Sequence, residues 1–184
     1  MSDSINNTIN SEPTSVIDSG FTPVEQNLEF GSQSKLTQYL TFSLNHDEYG
    51  VEILKVQEIR SWEPVSRIPN VPHYEKGVIN LRGAIVPIID LRERFGLESL
   101  EHTAVTAVIV LQTEHNGKLR SLGIVVDSVS NVVDVETAAI QDSPDFGARV
   151  NTNFIYGLAA SNERMIMLLD VDKLMIMEGT VDPV

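Results

Sequence analysis

The sequence predicts an all-β, mainly antiparallel protein with few and short helices, and three features carry that expectation. Its apolar runs are short and are set apart by Asn, Asp, Gly and Pro. They are rich in Val and Ile, which suit a pleated, half-buried surface. Capped helical segments are few and brief, one after Asp90 and one after Asp170.

Tyr39 to Leu44 alternates, Asn45-His46-Asp47 makes a turn, and Tyr49 to Ile53 resumes the alternation, which predicts a first hairpin. Val51 to Arg60 also fits a helical stripe through Ile53, Val56 and Ile59. Its short length and β-branched content favour a strand, one turn at Leu54-Lys55, and a strand from Val56 to Ser61. Pro64, Pro69 and Pro72 exclude a helix before Tyr74.

Apolar runs from Val78 to Leu81 and from Ala84 to Ile89 then flank Arg82-Gly83, and the glycine supplies the positive φ of a two-residue turn. Arg82 is therefore expected at a hairpin tip, projecting into solvent. Two readings of it stand side by side: a soluble turn residue and a rigidly presented recognition element. Pro87 cannot donate to a ladder, so it is expected at a strand end, an edge or a bulge.

Asp90 caps a turn or two of helix over Leu91 to Phe95, stopped by Gly96. Strands follow from Ala104 to Leu111, Leu119 to Val126 and Ser128 to Val135, with Asn116-Gly117 as a strong hairpin signal. Thr137 to Thr152 reads as a long loop with a helical turn near Glu136 to Ile140. Strands from Phe154 to Ala159 and Met165 to Leu169 and a capped helix over Asp170 to Met177 complete the pattern. Residues 1–36 are polar and aperiodic, with five acids against one base, and predict a disordered acidic tail. Phe21 and Phe30 are its only candidate docking anchors. The organisation expected is thus a tail at 1–36, a folded unit at 37–178 and a short tail at 179–184.

Composition narrows the function. With no cysteine there is no disulfide, no thiolate metal site and no cysteine nucleophile. The N-terminus lacks a basic region followed by an apolar stretch, which points to a cytoplasmic address without membrane insertion. A net charge of −13 opposes binding to nucleic acid, and Arg92 and Arg94, the densest basic pair, are interrupted by Glu93. Trp62 and Tyr74 could stack on bases, but such proteins line the groove with positive charge.

Reactive constellations do not assemble. His46, His73, His102 and His115 are scattered without metal-ligand spacing, and no phosphate-cradling glycine loop or nucleophile turn occurs. Asp145-Phe146-Gly147 matches a kinase magnesium tripeptide without the glycine loop, lysine and catalytic loop that give it meaning. The expectation is a protein without enzymatic activity, cofactor or metal that works by presenting surface.

Glu48-Tyr49-Gly50-Val51, Val56-Gln57-Glu58-Ile59-Arg60, Lys76-Gly77-Val78-Ile79-Asn80-Leu81-Arg82-Gly83 and Gly123-Ile124-Val125-Val126-Asp127 stand in order at fitting spacings. From Gln38 to Met175 this series resembles the CheW family of bacterial chemotaxis coupling proteins. The resemblance implies two SH3-like five-stranded β-barrel subdomains packed together. It implies an adaptor between the cytoplasmic tip of a methyl-accepting chemoreceptor and the CheW-like regulatory domain of the chemotaxis histidine kinase, held at membrane receptor arrays through these partners. Receptor contact is mapped by it onto Val56, Glu58, Ile59, Lys76, Asn80 and Arg82, whereas no kinase-contact residue is assigned. Scaffolding of another receptor-kinase pathway, or occupancy of a partner's site without coupling, are the alternatives within the family. Strand alternation places Val56 and Glu58 on one face, either as part of a mixed interface or with Val56 in the core and Glu58 bordering it.

Overall fold

The computed structural model describes residues 35–115, 117–142, 152–161 and 164–177. The tail before them, Asn116, Asp145-Phe146-Gly147 and the last seven residues lie outside the described residues.

Eleven strands are described: β1 (Leu36–Leu44), β2 (Asp47–Glu52), β3 (Val56–Ser61), β4 (Glu75–Leu81), β5 (Ala84–Asp90), β6 (Ala107–His115), β7 (Lys118–Val126), β8 (Ser128–Glu136), β9 (Gln141–Asp142), β10 (Ile155–Ser161) and β11 (Arg164–Leu169). Two short helices, α1 (Leu91–Arg94) and α2 (Val171–Met177), and 3-10 turns at Ile53–Lys55, Thr137–Ala139 and Thr152–Phe154 join them. The strands form two sheets, ordered β8-β1-β2-β11-β10-β9 and β3-β6-β7-β5-β4. Both are SH3-like barrels.

The expected five strands per barrel hold for the second sheet. The first gains β9, two residues that pair with Gly157 and Leu158 inside the segment expected to be loop. A two-residue strand is too short for any alternation to announce it. The strand expected from Ala104 instead begins at Ala107 and runs to His115, because Thr103 to Thr106 folds into a turn whose Thr103 carbonyl accepts from Thr106 N.

Alternation along the strands fills three apolar layers. Leu40, Phe42 and Leu44 of β1, Ile109 and Leu111 of β6, and Leu122, Ile124 and Val126 of β7 meet in a core shared by the two sheets. Opposite faces of the same strands fill the barrels: Val108, Val110 and Val125 join Leu81, Val86 and Ile88 in the second. Tyr39, Val135, Ala159, Ile166 and Leu168 fill the first. Strands buried on both faces explain why the central sequences read as nearly continuous apolar runs.

Pro87 lies within β5, yet it costs no ladder bond. Its partner Val78 turns both backbone groups away, donating to Ser66 O at 2.9 Å and accepting from Ser66 N at 3.2 Å. The Pro87 nitrogen therefore faces the other side, where pairing with β7 begins only at Ile88. The same Ser66–Val78 bridge links the chain beyond β3 to β4 and closes the second barrel.

Candidate functional site

The hairpin β4–β5 pairs Leu81 with Ala84, leaving Arg82-Gly83 as its two-residue loop. Gly83 has φ 92°, and Arg82 also has positive φ, at 52°. Positive φ at both central residues is the type I′ arrangement, which suits the twist of paired strands but disfavours a side chain at the first position. Asn80 secures the loop by accepting from Gly83 N through Oδ1 at 2.8 Å.

The Arg82 side chain is 80% exposed, and its guanidinium meets Glu58 of β3 at 3.4 Å. Glu58 also lies 3.6 Å from Arg60 Nε. At such exposure the Arg82 pair adds little stability, at most a few tenths of a kcal/mol. It does bring β3 and the hairpin tip into one surface patch. Ile85 stands exposed opposite Asn80, whereas Ile59, also exposed, stands opposite Ile109 of the shared core and so faces the other side of β3 from Glu58.

Four of the six residues marked by resemblance, Glu58, Ile59, Asn80 and Arg82, thus lie on β3 and the hairpin end that reaches it. Val56 and Lys76 do not present themselves in the same way. A bulge between Val56 and Glu58 breaks the expected alternation. Val56 stands opposite Leu111 and packs against the shared core, whereas Glu58 stands opposite Val110, a member of the second barrel's core. The two therefore face different layers, since one extra residue inverts the face of everything beyond it. Lys76 lies at the other end of β4, six residues from Arg82 or roughly 20 Å along a strand. Its ammonium is 2.5 Å from Glu93 Oε1.

Sequence reasoning passed over Ile85 and Arg60. The signal for Ile85 was present: the two-residue turn sets Asn80 opposite Ile85, so an outward Asn80 requires an outward Ile85. Arg60 required the register of β3, which the bulge conceals.

Other groups considered from sequence are engaged internally. Arg92 is buried and reaches Asp127 at 2.6 Å, and Arg94 lies 4.9 Å over the Tyr74 ring and 4.7 Å over Phe154. Trp62 is half-buried against the second barrel's core and stacks on His102 at 4.1 Å. These aromatics are occupied, not offered as base-stacking platforms. Among the described residues, no three potential ligands assemble around a metal position, and no helix is long and apolar enough to cross a membrane.

The CheW-like domain family model matches residues 38–178. This chain belongs to the CheW family. Among its CheW relatives, the chemotaxis protein CheW of Klebsiella aerogenes is 46% identical over 141 residues, covering 77% of this chain and 82% of that one. The chemotaxis protein CheW of Rhizobium meliloti is 38% identical over 135 residues, or 73% of this chain and 84% of that one. Among solved structures, the scaffolding protein TtCheW of Thermoanaerobacter tengcongensis superposes with a TM-score of 0.66 at 30% identity, covering 74% of this chain and 86% of that one. The CheW-like unit contains the whole β3–β4–β5 patch, so the patch is carried by the family fold itself.

Proposed function

We propose that this chain is a non-catalytic chemotaxis adaptor that joins the cytoplasmic tips of chemoreceptors to the chemotaxis histidine kinase. Family membership and the naming of its relatives as chemotaxis proteins, one of them a scaffolding protein, support this reading. The observation that carries the receptor side is Arg82, held on a type I′ tip beside Glu58 and Asn80, with exposed Ile85 across the hairpin. An arginine next to apolar surface is the usual make-up of an interface hot spot, and its planar fork matches a partner carboxylate. Val56 supports that patch from the shared core. On the kinase side, the partner is the kinase's own CheW-like regulatory domain, and the adaptor works in the cytoplasm at receptor arrays.

Reconstitution with a purified chemoreceptor signalling fragment and the kinase tests the proposal. Addition of this chain should place kinase activity under receptor control, and Arg82→Glu should abolish that control while the circular dichroism spectrum stays unchanged. Receptor binding by folded Arg82→Glu at the original affinity would remove the contact assignment. Failure to capture either partner would remove the adaptor reading.

A further inference from the structure

We propose that Lys76 is a positioning residue that fixes the register of the Arg82 hairpin and does not itself meet the partner. The inference rests on the receptor-contact reading of Arg82 and deepens it.

Glu75 pairs with Ile89 and Gly77 with Ile88, so Lys76 is the extra residue of a β-bulge. A bulge re-aims a side chain, and here it turns Lys76 toward α1. The ammonium donates to Glu93 Oε1 at 2.5 Å and to His73 O at 3.4 Å, and it lies 3.9 Å from Asp90 Oδ2. Its acceptors are themselves fixed: Glu93 accepts from Ser99 Oγ at 2.8 Å, and buried Asp90 caps α1 through Glu93 N at 3.2 Å. An ammonium has three protons to give, and acidic and carbonyl oxygens of this chain already surround it. The charge is therefore committed within the molecule.

The next residue locks the bulge from its other side. At φ +142°, Gly77 passes so close to Ser66 that an added Cβ would lie 2.0 Å from the Ser66 carbonyl oxygen. Together the Lys76 clamp and the Gly77 contact fix how many residues β4 spends before it reaches the tip. A slip of one residue in β4 would send Asn80 inward and Leu81 outward, and would change the loop length that presents Arg82.

Lys76→Met, Glu93→Gln, their double variant and the swap Lys76→Glu with Glu93→Lys decide between positioning and contact. Amide hydrogen exchange over residues 80–85 is measured on the free protein, and affinity for a purified chemoreceptor signalling fragment is measured at two salt concentrations. Each single variant should speed exchange in the hairpin roughly tenfold and weaken binding by a similar factor, about three- to tenfold. The double variant should lose no more than either single one, the salt dependence should match the parent, and the swap should recover binding. A direct contact gives the opposite pattern: Glu93→Gln binds as well as the parent or better, Lys76→Met flattens the salt dependence, and the swap fails. That pattern, or unchanged hairpin exchange in Lys76→Met, overturns the proposal. Should Lys76→Met not fold, Glu93→Gln, the swap and Lys76→Arg carry the same decision. If the fragment binds no variant and not the parent, the receptor reading fails, while the exchange data still judge Lys76.

Discussion

Arg92 and Asp127 form a 2.6 Å ion pair that ties α1 to the junction of β7 and β8. Arg92 is nearly inaccessible and also donates from Nε to the Glu98 carbonyl at 3.0 Å. Asp127 accepts in addition from Asn45 N at 2.7 Å, so the β1–β2 turn is held to the same point. Arg92→Leu strands a partly buried carboxylate and should cost about 3 kcal/mol, read as a fall in the urea midpoint. Adding Asp127→Asn should cost less than the sum of the single changes, because the charge left behind is gone.

Arg82 is held against its backbone preference, and this separates stability from binding. Arg82→Asn places in the first turn position a residue that accepts positive φ more readily. The variant should melt slightly higher, with a gain of about 0.5 kcal/mol or roughly 1–2 °C. Receptor affinity should fall by about thirtyfold, equivalent to roughly 2 kcal/mol. Lys118→Glu, an exposed change at the far end of β7, should leave receptor affinity unaffected. Calorimetry on the variants and binding isotherms to a receptor fragment check both halves.

Gly77→Ala should be among the most damaging single substitutions in the second barrel. The added methyl group meets backbone at Ser66, which has no rotamer to yield, and φ is one that L residues rarely adopt. A loss of about 3 kcal/mol or more is expected, seen in chemical denaturation. By contrast Gly83→Ala, with open space around its Cβ, should pay only for its φ of 92° and remain folded.

Alkaline conditions should unfold the protein through its buried tyrosines. Burial first, and the nearby Asp47 second, push Tyr49 up to about 12. Burial also raises Tyr39 and Tyr156, whose hydroxyls hydrogen-bond to each other. A raised folded value means that the folded state holds its proton longer. The stabilisation is complete below the unfolded value of 10 and is lost as pH climbs toward about 12. Tyrosinate absorbance should rise together with loss of dichroism, and Tyr49→Phe should move that transition to higher pH.

Most of the fold was legible because turn chemistry and strand alternation are local. Asn45 with φ 60° and the Arg82-Gly83 tip formed where short polar or glycine-bearing turns separated β-branched runs. The 3-10 turn at Ile53–Lys55 fell at the turn expected at Leu54-Lys55, and the one at Thr137–Ala139 at the helical turn expected near Glu136 to Ile140. What stayed hidden was non-local. The bulges beside Val56 and at Lys76 depend on partner strands β6 and β5, so the face of Val56 and the inward commitment of Lys76 leave no trace in their own neighbourhoods. Pro87 shows the same limit: its tolerance follows from Val78 bonding to Ser66, a relation no local pattern contains. At the site, Arg82 was legible from its turn and Glu58 from its strand, but their proximity was not, since the ion pair joining them spans the seam of a barrel.

The pairing of β2 with β11 is parallel and joins residues from opposite ends of the folded unit, Gly50 with Leu168 among them. All five strands of the second barrel, by contrast, lie within the unbroken stretch from Val56 to Val126. During synthesis the second barrel can close as soon as β7 has left the ribosome. The N-terminal hairpin, made earlier, must wait with its inner face uncovered until the last strand arrives. A nascent chain halted just before β11 would thus carry a complete Arg82 patch on a half-built neighbour, and the Tyr39 face, whose core partners Ile166 and Leu168 come last, would be what a chaperone sees first.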